Sequence, residues 1–282
     1  MIRFGVCLSV AAVMLASCAS MPAASSRHEL TLLSYNIRID VEGDNPRWAE
    51  RREPMARQIG FVAPDIFGLQ EATLPNVDYL AGQLPGYDHY GIGRDDGAGK
   101  GETTTLFWRS DRFDVVDRHT EWCSPTPDKP SLYPGAGWPR TITRVVLKDR
   151  LSHRVLDVRN LHFDNVSEDA RRACAEQVEH LPVLPGATVL IMGDLNSAPD
   201  TAAYQTLTRT GEMVDARTVT GVDFGPASTF NGFDTHSDSG MNIDHIFVPK
   251  GTAVTRYGVL TDTLYGRAIS DHYPVTTTIE LH

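Results

Sequence analysis

Six times along this chain a short apolar run abuts a group able to hold a metal or a phosphate. Leu30 to Ile37 and Asp65 to Leu69 give Ser34-Tyr35-Asn36 and Leu69-Gln70-Glu71. Val155 to Leu161 and Thr188 to Met192 give Asn160-Leu161-His162-Phe163-Asp164 and Gly193-Asp194-Leu195-Asn196. Ile243 to Val248 and Pro274 to Leu281 carry Asn242-Ile243-Asp244-His245 and Ser270-Asp271-His272. Each run has the length, β-branched content and flanking turn residues of a strand, as do Thr103 to Trp108 and Arg140 to Leu147. Helical periodicity over Trp48 to Phe61, Asn76 to Leu84, Ser167 to Leu181 and Thr201 to Arg209 lies between them. Ser167, with Glu168 and Asp169 behind it, predicts an N-cap and an acidic first turn. No repeat and no linker divides the chain, so the pattern predicts one α/β domain.

Asp and Asn are default turn formers, so any one of these groups alone reads as turn chemistry. Six in order read differently. Gathering so many carboxylates costs several kcal/mol in repulsion and desolvation unless a cation is present. The donors are carboxylates and amides with few His, which selects Mg²⁺ or Mn²⁺, and Ca²⁺ accepts a similar set. Neither His-x-x-x-His nor Cys-x-x-Cys occurs, which argues against zinc. Mg²⁺ is usually shared between one or two carboxylates and substrate phosphate oxygens, so phosphate ester hydrolysis is the chemistry that follows.

The first 17 residues read as an export signal, with Arg3 ahead of the apolar run Val6 to Leu15. Leu15-Ala16-Ser17-Cys18 resembles a bacterial lipobox, which makes Cys18 the expected lipidation site and places the protein in the cell envelope. Ala19-Ser20 lacks the acidic residue of inner-membrane retention, so the expectation is an outer-membrane anchor facing the periplasm. Residues 18–28 then form a short tether and 29–282 the domain. Of the four cysteines only Cys123 and Cys174 belong to that domain; an oxidising compartment permits a bridge between them, two free buried thiols are the slightly preferred reading, and their spacing does not decide. Two loops are heavily punctuated: Gly91 to Gly101, and Ser124 to Pro139 with five prolines. Such loops usually surround a site.

The combination of Gln70-Glu71, Gly193-Asp194-Leu195-Asn196 and Ser270-Asp271-His272-Tyr273-Pro274-Val275 resembles the endonuclease/exonuclease/phosphatase superfamily of metal-dependent phosphoesterases. The resemblance runs in order from about residue 30 to the C-terminus. It implies a four-layer α/β/β/α sandwich, two mixed sheets face to face with helices outside. It also implies that Glu71 is the principal metal-binding carboxylate, assisted by Asn36 and Asp271. Asp194 matches the residue that orients or deprotonates the attacking water, and Asn196 a phosphate contact. His272 matches the His that acts on water or phosphate, oriented by Asp244, and His162 one that stabilises phosphoryl charge. The implied mechanism is direct in-line attack by water.

Three departures from the family pattern stand out. Asn242 lies where many members carry a basic residue, His245 occupies an often aromatic position and reads as packing, and Cys123-Ser124-Pro125 replaces a Leu-Ser-Glu run of the bacterial and fungal branch that Gly93-Arg94-Asp95-Asp96-Gly97, Gly101-Glu102 and Trp138-Pro139-Arg140 resemble. Arg94 and Arg140 have the bidentate geometry of phosphate clamps, and structural salt bridges are an equal reading. The chain has 26 Lys plus Arg against 36 Asp plus Glu, a net charge of −10, which disfavours a protein that grips nucleic acid phosphates. The leading expectation is therefore a monomeric phosphoesterase acting on a small sugar, lipid head-group, inositol or nucleotide phosphate. An exported DNA or RNA nuclease is the alternative, and a catalytically silent binding lipoprotein ranks last.

Overall fold

The computed structural model describes residues 28–281. The signal segment, Cys18 and the tether up to residue 27 lie outside the described residues. The first half of the chain runs β1 (Glu29–Asn36), α1 (Trp48–Val62), β2 (Ile66–Gln70), α2 (Leu74–Gln83), β3 (Tyr87–Tyr90), β4 (Leu106–Arg109) and β5 (Phe113–Trp122). It continues with β6 (Thr141–Asp149), β7 (Val155–His162), α3 (Glu168–His180), β8 (Thr188–Asp194), α4 (Ala202–Thr208), β9 (Met213–Asp215) and α5 (Ala216–Val219). The last strands are β10 (Asp223–Phe224), β11 (Asp244–Pro249), β12 (Ala253–Val259), β13 (Thr263–Leu264), β14 (Arg267–Ala268) and β15 (Val275–Glu280). No helix among the described residues is long and apolar enough to cross a membrane.

Two mixed sheets pack face to face, in the orders β10-β12-β15-β1-β2-β4-β3 and β5-β6-β7-β8-β11-β9. Strand alternation distributes the apolar side chains between layers. Leu30 and Leu32 of β1 meet Val145, Leu156 and Leu190 between the sheets, whereas Leu33 and Tyr35 point outward to Met55, Ile59 and Leu80 of α1 and α2. On the far side Leu161 and Ile191 pack on Cys174 and Val178 of α3 and Tyr204 of α4. The result is the expected four-layer sandwich. A one-residue slip of β1 would exchange its two faces, so both helical and sheet layers fix its register.

Helix α3 follows its sequence signals: the Ser167 side chain accepts from Ala170 N at 3.2 Å, and Glu168 and Asp169 occupy the first turn. Cys174 sits on its buried face and forms a disulfide with Cys123, with Cα atoms 4.9 Å apart. This settles the open pairing as a bridge, against the slight preference for two free thiols. Fifty-one residues separate the pair, and only the packing of α3 against the end of β5 brings them together. β3, β5 and β12 are not legible as apolar runs. β5 is an edge strand with a mostly exposed, charged middle (Asp117, Arg118, His119), and its partner supplies the pairing.

The sheet topology explains the recurring polar groups. Parallel pairing aligns the C-terminal ends of β1 and β2 (Asn36 opposite Gln70) and of β7 and β8 (His162 opposite Asp194). The antiparallel strands β11 and β15 begin at the same pole, with Asp244 opposite Asp194 and Val275 opposite Ser34. Four polar groups thus follow strand ends and two precede strand starts, and all six converge. Beneath them Gln70 Nε2 donates to Asn160 Oδ1 at 2.7 Å, and Asn160 Nδ2 donates to Leu69 O at 2.8 Å, clasping the two sheets. Gly68 is required there, since a Cβ would stand 2.6 Å from the Asn160 side chain.

Candidate active site

Backbone geometry delivers the carboxylates. Glu71, the first residue beyond β2, is left-handed at φ 59°, and so turns its side chain off the sheet toward β1. Its Oε1 accepts from Asn36 Nδ2 at 3.1 Å and its Oε2 from Ile39 N at 3.0 Å. Gly193, at φ 147°, lies so close to the Leu161 carbonyl that no Cβ fits, and this close approach presents Asp194. Asn36 Nδ2 also reaches Asp194 Oδ2 at 2.9 Å and His272 Nε2 at 3.5 Å, so one amide joins three of the sequence-selected residues.

His272 Nδ1 stands 2.9 Å from Asp244 Oδ2, and its Nε2 stands 3.7 Å from Asp194 Oδ2. Burial alone would push the imidazole pKa down, but the charges of Asp244 and Asp194 outweigh it and hold His272 well above its ordinary value. Burial, then the Asp244 charge, pushes the Asp194 carboxyl up to about 7. Phe230 stacks edge-on against the His272 ring at 5.0 Å and fixes its tilt. Asp271 lies 3.7 Å from Arg38 Nε, and burial together with the nearby Glu71 charge raises its carboxyl.

On the opposite wall His162 Nε2 is 3.6 Å from Asp194 Oδ2, and Arg140 Nη1 lies 2.9 and 3.0 Å from the two His162 ring nitrogens. Burial and the surrounding Arg140 and Arg94 charges hold His162 well below its ordinary pKa, so it is a neutral imidazole. Arg94 grips Glu102 through two bonds of 2.8 and 2.7 Å, and Glu102 approaches Arg140 at 3.9 Å. Arg94 is thus ion-paired with Glu102, and Arg140 is buried beside His162 and donates to Asn165 Oδ1 at 3.1 Å. Asn196 Nδ2 is committed to Phe163 O at 3.0 Å, and its own amide N–H caps Asp194 Oδ1 at 2.8 Å.

His245 stands apart from this cluster, buried between Asp215 (2.8 Å) and the carbonyls of Ser197 and Asn242 (3.0 and 3.1 Å), as its packing reading expected. Sequence reasoning assigned no site role to Arg38 or Glu102. Arg38 follows the run that ends at Ile37 and Glu102 precedes the one that begins at Thr103, but a lone charged residue at a strand end is unremarkable in sequence.

The donor set suits a divalent cation. Asp194, Asp244 and His272 can each bring one ligand atom within 4.8 Å of the others, and Glu71 adjoins them through Asn36. Asp244 Oδ1 is buried without a partner, and the raised carboxyls of Asp194 and Asp271 report uncompensated negative charge. A hard cation relieves both.

Comparison with known proteins agrees with this geometry. The family model described as Endonuclease/Exonuclease/phosphatase family matches residues 33–272. An endonuclease/exonuclease/phosphatase family protein of Bacteroides thetaiotaomicron superposes with a TM-score of 0.87 at 34% identity, over 90% of this chain and 98% of its own. The mannosyl-6-phosphatase of the same organism superposes at 0.84, also with 34% identity, over 89% and 99%. A family protein from Bacteroides vulgatus gives 0.85 at 29% identity, over 90% and 99%. No match was found among curated protein sequences. By the extent of the family match and these relatives, the chain is a member of the endonuclease/exonuclease/phosphatase family, a family of hydrolases.

Proposed function

We propose that the protein is an exported, lipid-anchored, Mg²⁺- or Mn²⁺-dependent phosphoesterase whose substrate is a sugar phosphate. The observation that carries the chemistry is the meeting of Asp194, His272 and Asn36 above Glu71, with Asp244 behind His272. Because the His272 ring nitrogens already face Asp244 and Asp194, the cation is assigned to Glu71, Asn36 and Asp271, where it would act as a Lewis acid, neutralising charge on the phosphoryl oxygens. Asp194, its carboxyl raised by burial and the Asp244 charge, orients the attacking water and takes its proton. Charged His272 donates from Nε2 toward the phosphoryl group, and Asp244 keeps that ring oriented and charged. Arg140 and neutral His162 supply donors on the opposite side, where charge builds in an in-line displacement.

A sugar phosphate is favoured by the likeness to the Bacteroides mannosyl-6-phosphatase and by the electrostatics. Arg109 is paired with Asp111 at 2.7 Å, and Arg112 is buried between Asp65 and Asp149, so neither offers a duplex a basic face. The test is hydrolysis of mannose 6-phosphate, p-nitrophenyl phosphate, bis-p-nitrophenyl phosphate and plasmid DNA with Mg²⁺ or Mn²⁺. His272→Ala serves as the blank. The expected result is EDTA-sensitive turnover of a small ester with DNA left intact. Cleavage of DNA alone would replace this reading with the nuclease. Export and anchoring are tested by Cys18→Ala, which is expected to move the protein from the membrane fraction to the soluble one.

A further inference from the structure

Of the four tryptophans, Trp48, Trp108 and Trp122 are buried at 8, 2 and 3% exposure, whereas Trp138 is 55% exposed. A single exposed aromatic is ordinary by itself. This one differs in how firmly it is held. The amide N–H groups of Gly137 and Trp138 both donate to the buried Asp164 carboxylate, at 3.0 and 3.2 Å, and the same carboxylate accepts from Val166 N and Ser167 N. Pro139 follows, and Arg140 comes next, no more than about 7 Å along the backbone. The base of the same loop is tied to α3 by the Cys123–Cys174 disulfide. A pinned backbone therefore carries a large, exposed apolar ring.

Its position relative to the reacting groups gives that ring a use. The Arg94 guanidinium lies 5.6 Å from the indole centroid, over its ring. Arg94 is bonded to Glu102, and Glu102 lies 3.7 Å from His162 Nδ1. The indole thus stands at the rim of the wall formed by Arg94, Glu102, Arg140 and His162, with about half of the residue open to solvent. Exposed Val166 packs against Gly137 and extends the apolar lip, since a Cβ on Gly137 would meet its methyl at 2.7 Å.

We propose that Trp138 is the specificity residue of the site, the platform on which the ring of a phosphorylated pyranose lies while its phosphate faces His272 and Arg140. The C–H face of a pyranose is apolar and rigid, and matches an indole face, whereas its hydroxyls remain available to neighbouring donors. Because the loop is already fixed, little ordering cost falls on binding. An acyclic alcohol phosphate has no such face and gains little from the ring. The inference rests on the phosphoesterase reading above.

The test compares mannose 6-phosphate with glycerol 3-phosphate, in the wild type, Trp138→Ala and Trp138→Phe. Trp138→Ala is expected to raise KM for the pyranose about tenfold or more, with KM for glycerol 3-phosphate unchanged within about twofold. Trp138→Phe should fall between the two. Acrylamide quenching reads Trp138 selectively because the other three tryptophans are buried, so saturating mannose 6-phosphate should shield it in the His272→Ala protein. Equal loss on both substrates would assign Trp138 to holding Arg94 and overturn the platform. Turnover of mannose 6-phosphate with unaltered KM in Trp138→Ala and no shielding would also overturn it, and would leave the phosphoesterase standing. A wild type that hydrolyses none of the phosphate esters and shows no shielding would overturn both.

Discussion

His272 and Asp244 form a hydrogen-bonded pair, Nδ1 to Oδ2 at 2.9 Å, although 28 residues separate them and both are buried. The second Asp244 oxygen has no partner, so the carboxylate's interactions fall on the imidazole. Asp244→Asn keeps the shape but removes the charge that holds His272 protonated. Activity on any ester turned over should fall by about 10²–10⁴-fold. Its pH profile should lose the limb set by His272, while the melting temperature changes little in comparison. An Asp244→Asn enzyme with wild-type kcat at every pH would remove His272 from the chemistry.

Glu71 faces Asn36 and the raised Asp271 carboxyl, so the acidic pole carries uncompensated repulsion without a cation. Mg²⁺ or Mn²⁺ at about 100 times Kd should stabilise the wild type by about 2.7 kcal/mol. In Glu71→Gln that shift should vanish at the same concentrations. Differential scanning fluorimetry over a metal titration measures it, and an undiminished shift would place the cation elsewhere.

His245 has acceptor groups at both ring nitrogens, Asp215 at Nδ1 and the backbone carbonyls of Ser197 and Asn242 at Nε2, an arrangement that suits the imidazolium. Burial opposes that charge, but the bond to Asp215 and its charge prevail, and the native pKa is raised. A raised native pKa gives stability that is complete below the unfolded value of about 6.5 and is lost as pH rises through the native one. Melting temperature should therefore decline above neutrality in the wild type and decline less steeply in His245→Phe. Parallel curves would show that His245 is neutral in the folded protein.

The Cys123–Cys174 bridge closes a loop that contains β6, β7 and the Pro-rich segment. Reduction, or replacement of both residues by Ser, should lower stability by about 2–4 kcal/mol. Chemical denaturation with and without reductant reads this directly, and coincident curves would mean the bridge contributes nothing.

How far the site could be read from the chain depended on whether its residues were marked by their neighbours. Glu71, Asp194, Asp244 and His272 each lie beside an apolar strand, so the contrast between run and polar group betrayed them. Arg38 and Glu102 also abut runs, but a lone charge there is ordinary, and their meaning, like the specificity proposed for Trp138, comes from what stands opposite. Of the edge strand β5 only the end beside Cys123 is legible as a strand, because charged residues on an exposed edge follow no core-facing alternation.

The sequence by itself determined the two-faced strands, the capped α3 helix and the oxygen-rich donor set, because each depends on near neighbours in the chain. Only the tertiary structure decided which groups act together. Parallel pairing of β1 with β2 and β7 with β8, against antiparallel β11 and β15, brings strand ends and strand starts to one pole. The same packing joined Cys123 to Cys174 and sent His245 into the core while its neighbour Asp244 faces the site. Successive side chains on a strand point to opposite faces, so which of two adjacent residues meets the substrate is settled by what covers each face.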